Sequence, residues 1–208
     1  MSCSAALLIA LLATALSATS ARAETIPVQH RVSLGVGLPL PFEAYGGDAS
    51  LEGTGLDLAF ILHARASYSA NPFGAMPRLV IGARGSFSTA TVTDGELSLW
   101  GWLFMAGPHV GVRFTPELWP STTLVVAGGP ALARSGFRID ENLHKEFWSG
   151  AVFGFAQLSL PLTDTVQVTL DAALEHVLPA PEDESFFNQR LGSTTLLTLA
   201  VGVELVLD

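Results

Sequence analysis

Residues 165–178 read TVQVTLDAALEHVL, and their apolar positions recur every second residue, at Val166, Val168, Leu170, Ala172 and Leu174. Thr165, Gln167, Thr169, Asp171 and Glu175 occupy the other phase. A β-strand sends alternate side chains to opposite faces, so the segment predicts a strand with one apolar face and one face carrying two carboxylates. In a water-soluble barrel the carboxylates would point out. A barrel with lipid outside reverses the arrangement, and the carboxylates then line the interior.

Period and breakers together predict eight strands, at approximately 30–40, 54–68, 77–90, 96–114, 122–134, 147–160, 165–178 and 193–207. No amphipathic helix is expected between them. Each segment exceeds the roughly 5 to 6 residues of an average strand and suffices for the roughly 9 to 11 that cross a bilayer at a tilt. In the second, Leu56, Leu58, Phe60, Leu62, Ala64 and Tyr68 are expected outward, and Asp57, Ala59, Ile61, His63, Arg65 and Ser67 inward. The third sets Leu79, Ile81, Ala83 and Phe87 against Arg78, Arg84, Ser86 and Ser88. The last sets Leu197, Leu199, Val201, Val203, Leu205 and Leu207 against Thr198, Ala200, Gly202, Glu204 and Val206. The middle segments are less clean, because Trp100, Trp102, Phe104, Phe153 and Phe155 make both faces apolar. Pro108 and Pro130 are expected to mark bulges or register changes, since proline cannot donate to a ladder.

The connections alternate in length. SANPFGAM, TPELWPST and PLTD are compact, whereas PFEAYGGDASLEG, SGFRIDENLHKE and PAPEDESFFNQR are long and polar; TVTDG is short where a long connection is due. Short turns on one rim and longer loops on the other are the habit of outer-membrane barrels.

The N-terminal stretch supports the same compartment. Residues 1–23, MSCSAALLIALLATALSATSARA, resemble a cleaved secretory signal peptide, with residues 24–208 left as one barrel domain. The apolar run is about half of the roughly 20 residues that a spanning helix needs. The single cysteine, Cys3, precedes that run, so an exported chain would be free of thiols and stabilised without disulfides. Loss of Arg22 takes the 10 basic residues to 9 against 19 acidic ones, moving the net charge from -9 to -10. Nucleic acid is excluded as a partner by that balance, because phosphate binding needs a basic face. A mean hydropathy of +0.44 without an apolar run of about 18 residues disperses the apolar surface as strands would.

The leader, the eight alternating segments and the asymmetric connections together resemble the small outer-membrane β-barrels of the OmpA and OmpX type. The resemblance is architectural and spans residues 24–208. It implies an all-β, eight-stranded antiparallel up-and-down transmembrane barrel in the outer membrane, in contact with its lipid and with no cofactor. In that family the last strand commonly ends in an aromatic residue, whereas VELVLD here keeps the alternation and has none. Candidate girdle residues are Phe73, Phe114 and Trp119 near the compact turns, with Phe147 and Trp148 near the long loops.

A barrel of eight strands leaves an interior wide enough only for side chains, so inward charges must pair. Arg84 and Asp171 are expected as a transverse ion pair at mid-height. Glu204 and Arg31 should meet at the periplasmic end, with Arg65 as a second donor. Glu175 and Asp57 should lie higher, with His63 able to bridge. These residues are read as closing the lumen. No catalytic or metal site is expected: Glu175 and His176 are neighbours on a strand and point to opposite faces, and Glu182, Asp183 and Glu184 match no calcium loop. That acidic run, with Phe186 and Phe187, is a candidate for contact with an extracellular partner. The function expected is a structural or surface-interaction role by a monomer. The alternatives are a small gated pore, a soluble lipocalin-like barrel with the opposite facing and, less favoured, a lipid-modifying enzyme.

Overall fold

The computed structural model describes residues 28–43, 57–72, 78–94, 97–116, 121–140, 143–178 and 194–207. The residues of the expected leader, 1–23, lie outside these, as do Phe73, Trp119, Glu182, Asp183, Glu184, Phe186 and Phe187. Eight strands follow in chain order: β1 His30–Glu43, β2 Asp57–Ala70, β3 Leu79–Asp94, β4 Leu97–Phe114, β5 Thr123–Asp140, β6 Leu143–Pro161, β7 Val166–Val177 and β8 Thr194–Leu207. Each pairs antiparallel with its neighbours, and β1 pairs with β8, so the sheet closes on itself as a barrel. Closure leaves no strand edge exposed.

The facing is that of a barrel turned inside out. On β7, Leu170 and Leu174 are exposed, at 45% and 50%, whereas Asp171 and Glu175 are buried at 3% and 1%. Leu199, Val201, Val203, Leu205 and Leu207 of β8 are exposed in the same way, with Thr198, Ala200, Glu204 and Val206 buried between them. A soluble ligand-binding barrel requires Leu170 and Leu174 inside. The structure puts them outside, which overturns that alternative.

The fourth to sixth segments owe their double-faced apolar pattern to an asymmetric interior. Trp100, Trp102 and Phe104 share one phase of β4, and Trp100 and Phe104 are exposed. Met105, Val125, Ala127, Phe153, Phe155 and Ala173 are buried in two small inner clusters. One side of the lumen is thus walled by hydrocarbon and the other by polar groups.

Pro108 and Pro130 do not shift the register. The β4–β5 ladder breaks between Ala106↔Leu132 and Val110↔Gly128 and resumes unchanged, with the two prolines opposite each other in the gap. Each lacks an N–H, so their juxtaposition confines both losses to one place. Their other ladders, to β3 and to β6, run on without a break. The irregularities fall elsewhere, between Pro41 and Glu43, Phe60 and Leu62, and Arg138 and Asp140.

β5 and β6 also run further than their apolar alternation. The stretch expected as a long loop, SGFRIDENLHKE, is mostly strand: Ser135 pairs with Phe147, and Asp140 with Leu143. Strand that projects beyond the lipid meets water on both faces, so its residues need not alternate. The longer connections at this end are therefore those at 44–56 and 178–193.

Candidate functional site: the charged lumen

Inward phases of β1, β2, β3, β7 and β8 converge on a polar network along one side of the lumen. At mid-height, Arg84 donates from Nη1 to Asp171 Oδ2 at 2.9 Å and from Nη2 to Oδ1 at 2.8 Å, a bidentate pair between strands far apart in the barrel order. Two parallel bonds fix the guanidinium plane as well as its charge. The cation also lies 4.5 Å from the centre of the Phe155 ring, which packs perpendicular to the His109 ring.

Towards the end where the chain enters β1, Arg31 donates from Nη1 to Glu204 Oε1 at 2.8 Å and to Gln167 Oε1 at 3.1 Å. The sequence suggests Arg65 as a second donor to Glu204. Instead, Arg65 Nε lies 3.5 Å from Asp171 Oδ1, Nη2 donates to Thr169 at 2.9 Å and Nη1 to Ser33 at 2.8 Å. The cause is local: Arg65 faces Gly35 in the register of β1 and β2. Without a side chain there, the guanidinium can lie across β1, where a Cβ on Gly35 would come within 3.1 Å of Arg65 Nε.

Gln157 joins the two layers. Its Oε1 accepts from Arg65 Nη1 at 3.3 Å while its Nε2 donates to Glu204 Oε2 at 2.6 Å. Neither Gln157 nor Thr169 is singled out by charge. Their signal in the sequence is weaker: Gln157 is a polar residue on the inward phase of an otherwise apolar segment, and Thr169 is an uncharged member of the polar phase of β7.

Above Arg84, Glu175 takes a hydrogen bond from Ser86 while its Oε2 has none. The gap between Arg84, Ser86, Met105, Phe153 and Glu175 is too narrow to hold a water molecule. His63 does not bridge the carboxylates as expected: Nδ1 lies 3.0 Å from Ser88 Oγ and Nε2 has no hydrogen-bond partner. Asp57 lies beyond the register shift between Phe60 and Leu62, which breaks the alternation assumed for that segment, and its side chain is outside the described set. His176 pairs with Thr195 at 2.9 Å on the phase opposite to Glu175, so the two do not form a catalytic pair. Among the described residues, no group of three or more His, Cys, Asp or Glu side chains could hold a metal ion.

The outer wall is apolar over its breadth and carries aromatic residues towards both ends. Tyr68 on β2 stacks with His30 near the short turns, and Trp100 and Trp148 stand near the opposite rim. Phe114 is half-buried, and the side chain of Phe147 is outside the described set.

Two solved structures share this fold. Neisserial surface protein A is 9% identical with a TM-score of 0.55, the match covering 86% of this chain and 95% of that one. A major outer membrane protein from Thermus thermophilus is 12% identical with a TM-score of 0.59, over 88% of this chain and all of that one. The fold is that of the small outer-membrane β-barrels. At these identities the likeness is one of fold alone. No family model and no curated protein sequence matches the chain.

A small outer-membrane barrel of this width is plugged by its own side chains. Guanidinium–carboxylate layers occupy one side of this lumen, and Phe153 and Phe155 the other. Chemically the arrangement is suited to holding opposite walls together.

Proposed function

We propose that the chain is an integral outer-membrane protein whose lumen is closed by ion pairs and which acts as a structural or surface-interaction component through its extracellular loops. One observation carries the reading: large apolar side chains are exposed around the wall while most of the described arginines and carboxylates in the strands are buried. Leu34, Val36, Leu38, Leu132 and Val201 are each more than half exposed. Arg31, Arg65, Arg84, Asp171, Glu175 and Glu204 are all buried. An apolar surface on this scale is untenable in water and matches a bilayer's hydrocarbon.

The described outer faces cannot supply a specific partner site as readily as the long connections can. Residues 179–193 carry Glu182, Asp183 and Glu184 beside Phe186 and Phe187, a combination suited to a basic partner with an apolar anchor. The expected leader at residues 1–23 would deliver the chain to the envelope.

Fractionation of cells expressing the full chain tests the reading. The protein should stay with outer membranes through alkaline washing, enter detergent, and migrate faster in unheated than in boiled gel samples. Recovery in the aqueous fraction without detergent would refute it. Conductance in planar bilayers would replace the closed lumen with a pore, and an altered lipid A mass on expression would indicate an enzyme.

A further inference from the structure

Arg134 is a charged residue on the lipid side of the wall. On β5, Ala133 is buried and Leu132 is 66% exposed, so the phase of Leu132 and Arg134 faces outward. The Arg134 guanidinium lies 5.8 Å from the Trp102 ring centre and 5.2 Å from that of Trp148, one indole from each neighbouring strand. Glu146 on β6 pairs with its Nη2. Gly136 makes the frame possible, because a Cβ there would run into the Trp102 indole. In the backbone register Arg138 pairs with Trp100 on one side and His144 on the other.

Height gives the cluster its meaning. Arg134 lies about 11 residues beyond Thr123, which at about 3.3 Å per residue and a tilt of about 40° is roughly 28 Å along the barrel axis. The apolar band of such barrels is about 25 Å tall, so Arg134 stands at its far edge, level with lipid headgroups. There an indole-framed guanidinium meets acyl chains below and phosphates beside it. Glu146 pairs with Nη2, and the side chain remains 40% exposed, so the Nη1 side of the planar fork can turn to a phosphate.

We propose that Arg134, framed by Trp102 and Trp148, binds a phosphate of a lipid headgroup in the outer leaflet. The inference rests on the outer-membrane reading, with the longer connections on the outer side. Glu146 then competes with the phosphate for the guanidinium.

Native mass spectrometry of the refolded protein in detergent micelles, with bisphosphorylated lipid A or its dephosphorylated form added, tests this. The wild type should retain the phosphorylated form several-fold better. Arg134→Gln should abolish that preference, and Glu146→Gln should preserve or raise it. Equal retention of both lipids by the wild type, an unchanged preference in Arg134→Gln, or loss of the preference in Glu146→Gln would overturn the proposal. Heat-dependent gel migration keeps the two failures apart. A barrel that folds in micelles without the preference refutes only the phosphate site, whereas one that never integrates refutes the membrane reading beneath it.

Discussion

Arg84 on β3 and Asp171 on β7 are joined across the lumen by hydrogen bonds of 2.9 and 2.8 Å, and Arg65 on β2 lies 3.5 Å from the same carboxylate. One buried anion therefore serves two buried cations. Removing the anion takes the ion-pair partner from both, whereas removing Arg84 leaves Asp171 with Arg65. Asp171→Ala should destabilise the folded barrel by about 3–5 kcal/mol, the range for breaking a buried pair, and Arg84→Met by clearly less. Urea unfolding from liposomes, followed by tryptophan fluorescence, measures both. Equal losses would contradict the shared-anion geometry.

Gln157 ties the Asp171 layer to the Arg31–Glu204 pair through Arg65 on one side and Glu204 on the other. Gln157→Leu removes an acceptor and a donor from charged partners in a buried site, and should destabilise by about 1–3 kcal/mol. A double-mutant cycle between Gln157→Leu and Glu204→Gln should show coupling. Strict additivity would mean that the two layers are independent.

The same network predicts electrical silence. The wild type in planar bilayers should show no steady conductance, because guanidinium, carboxylate and phenyl groups fill the cross-section around Arg84. A combined Arg84→Ala, Asp171→Ala variant that still folds should conduct measurably more. Large steady currents from the wild type would replace the plug with a channel.

Gly82 is where the wall admits no side chain. A Cβ there would collide with the carbonyl oxygen of Tyr68 and meet the His109 ring at 2.8 Å. Gly82→Val should therefore lower the yield of the fast-migrating folded form in refolding assays, whereas Gly85→Ala, whose added methyl would meet only the Met105 carbonyl oxygen at 3.5 Å, should leave the yield nearly unchanged.

The sequence was most legible where the two faces differ in kind. On β7 and β8 the period of two separates Leu170 and Leu199 from Asp171 and Glu204 without ambiguity, and the strand count follows from repeating that reading. It blurred on β4 to β6, because Phe153 and Phe155 are apolar yet inward while Trp100 is apolar and outward. Alternation cannot tell such faces apart. It failed at the projecting ends of β5 and β6, where water on both sides removes the pattern. Within the lumen, charge drew attention to Arg84 and Asp171, but the course of Arg65 depends on Gly35 across the ladder, a relation set by register. Gln157 carries no charge and so gave no such signal.

Facing is the central claim, and lipid-quenching of site-specific probes reads it directly. With Cys3 replaced by Ser, single cysteines at Leu199, Ala200 and Val201 can be labelled with a small fluorophore in the unfolded chain, which is then refolded into vesicles of brominated lipid. Positions 199 and 201 should be strongly quenched and position 200 spared, because Leu199 and Val201 are half exposed on the wall and Ala200 is 4% exposed inside it. Quenching at position 200 with 199 and 201 spared, or no quenching at any of the three, would contradict a barrel with lipid outside and charge within.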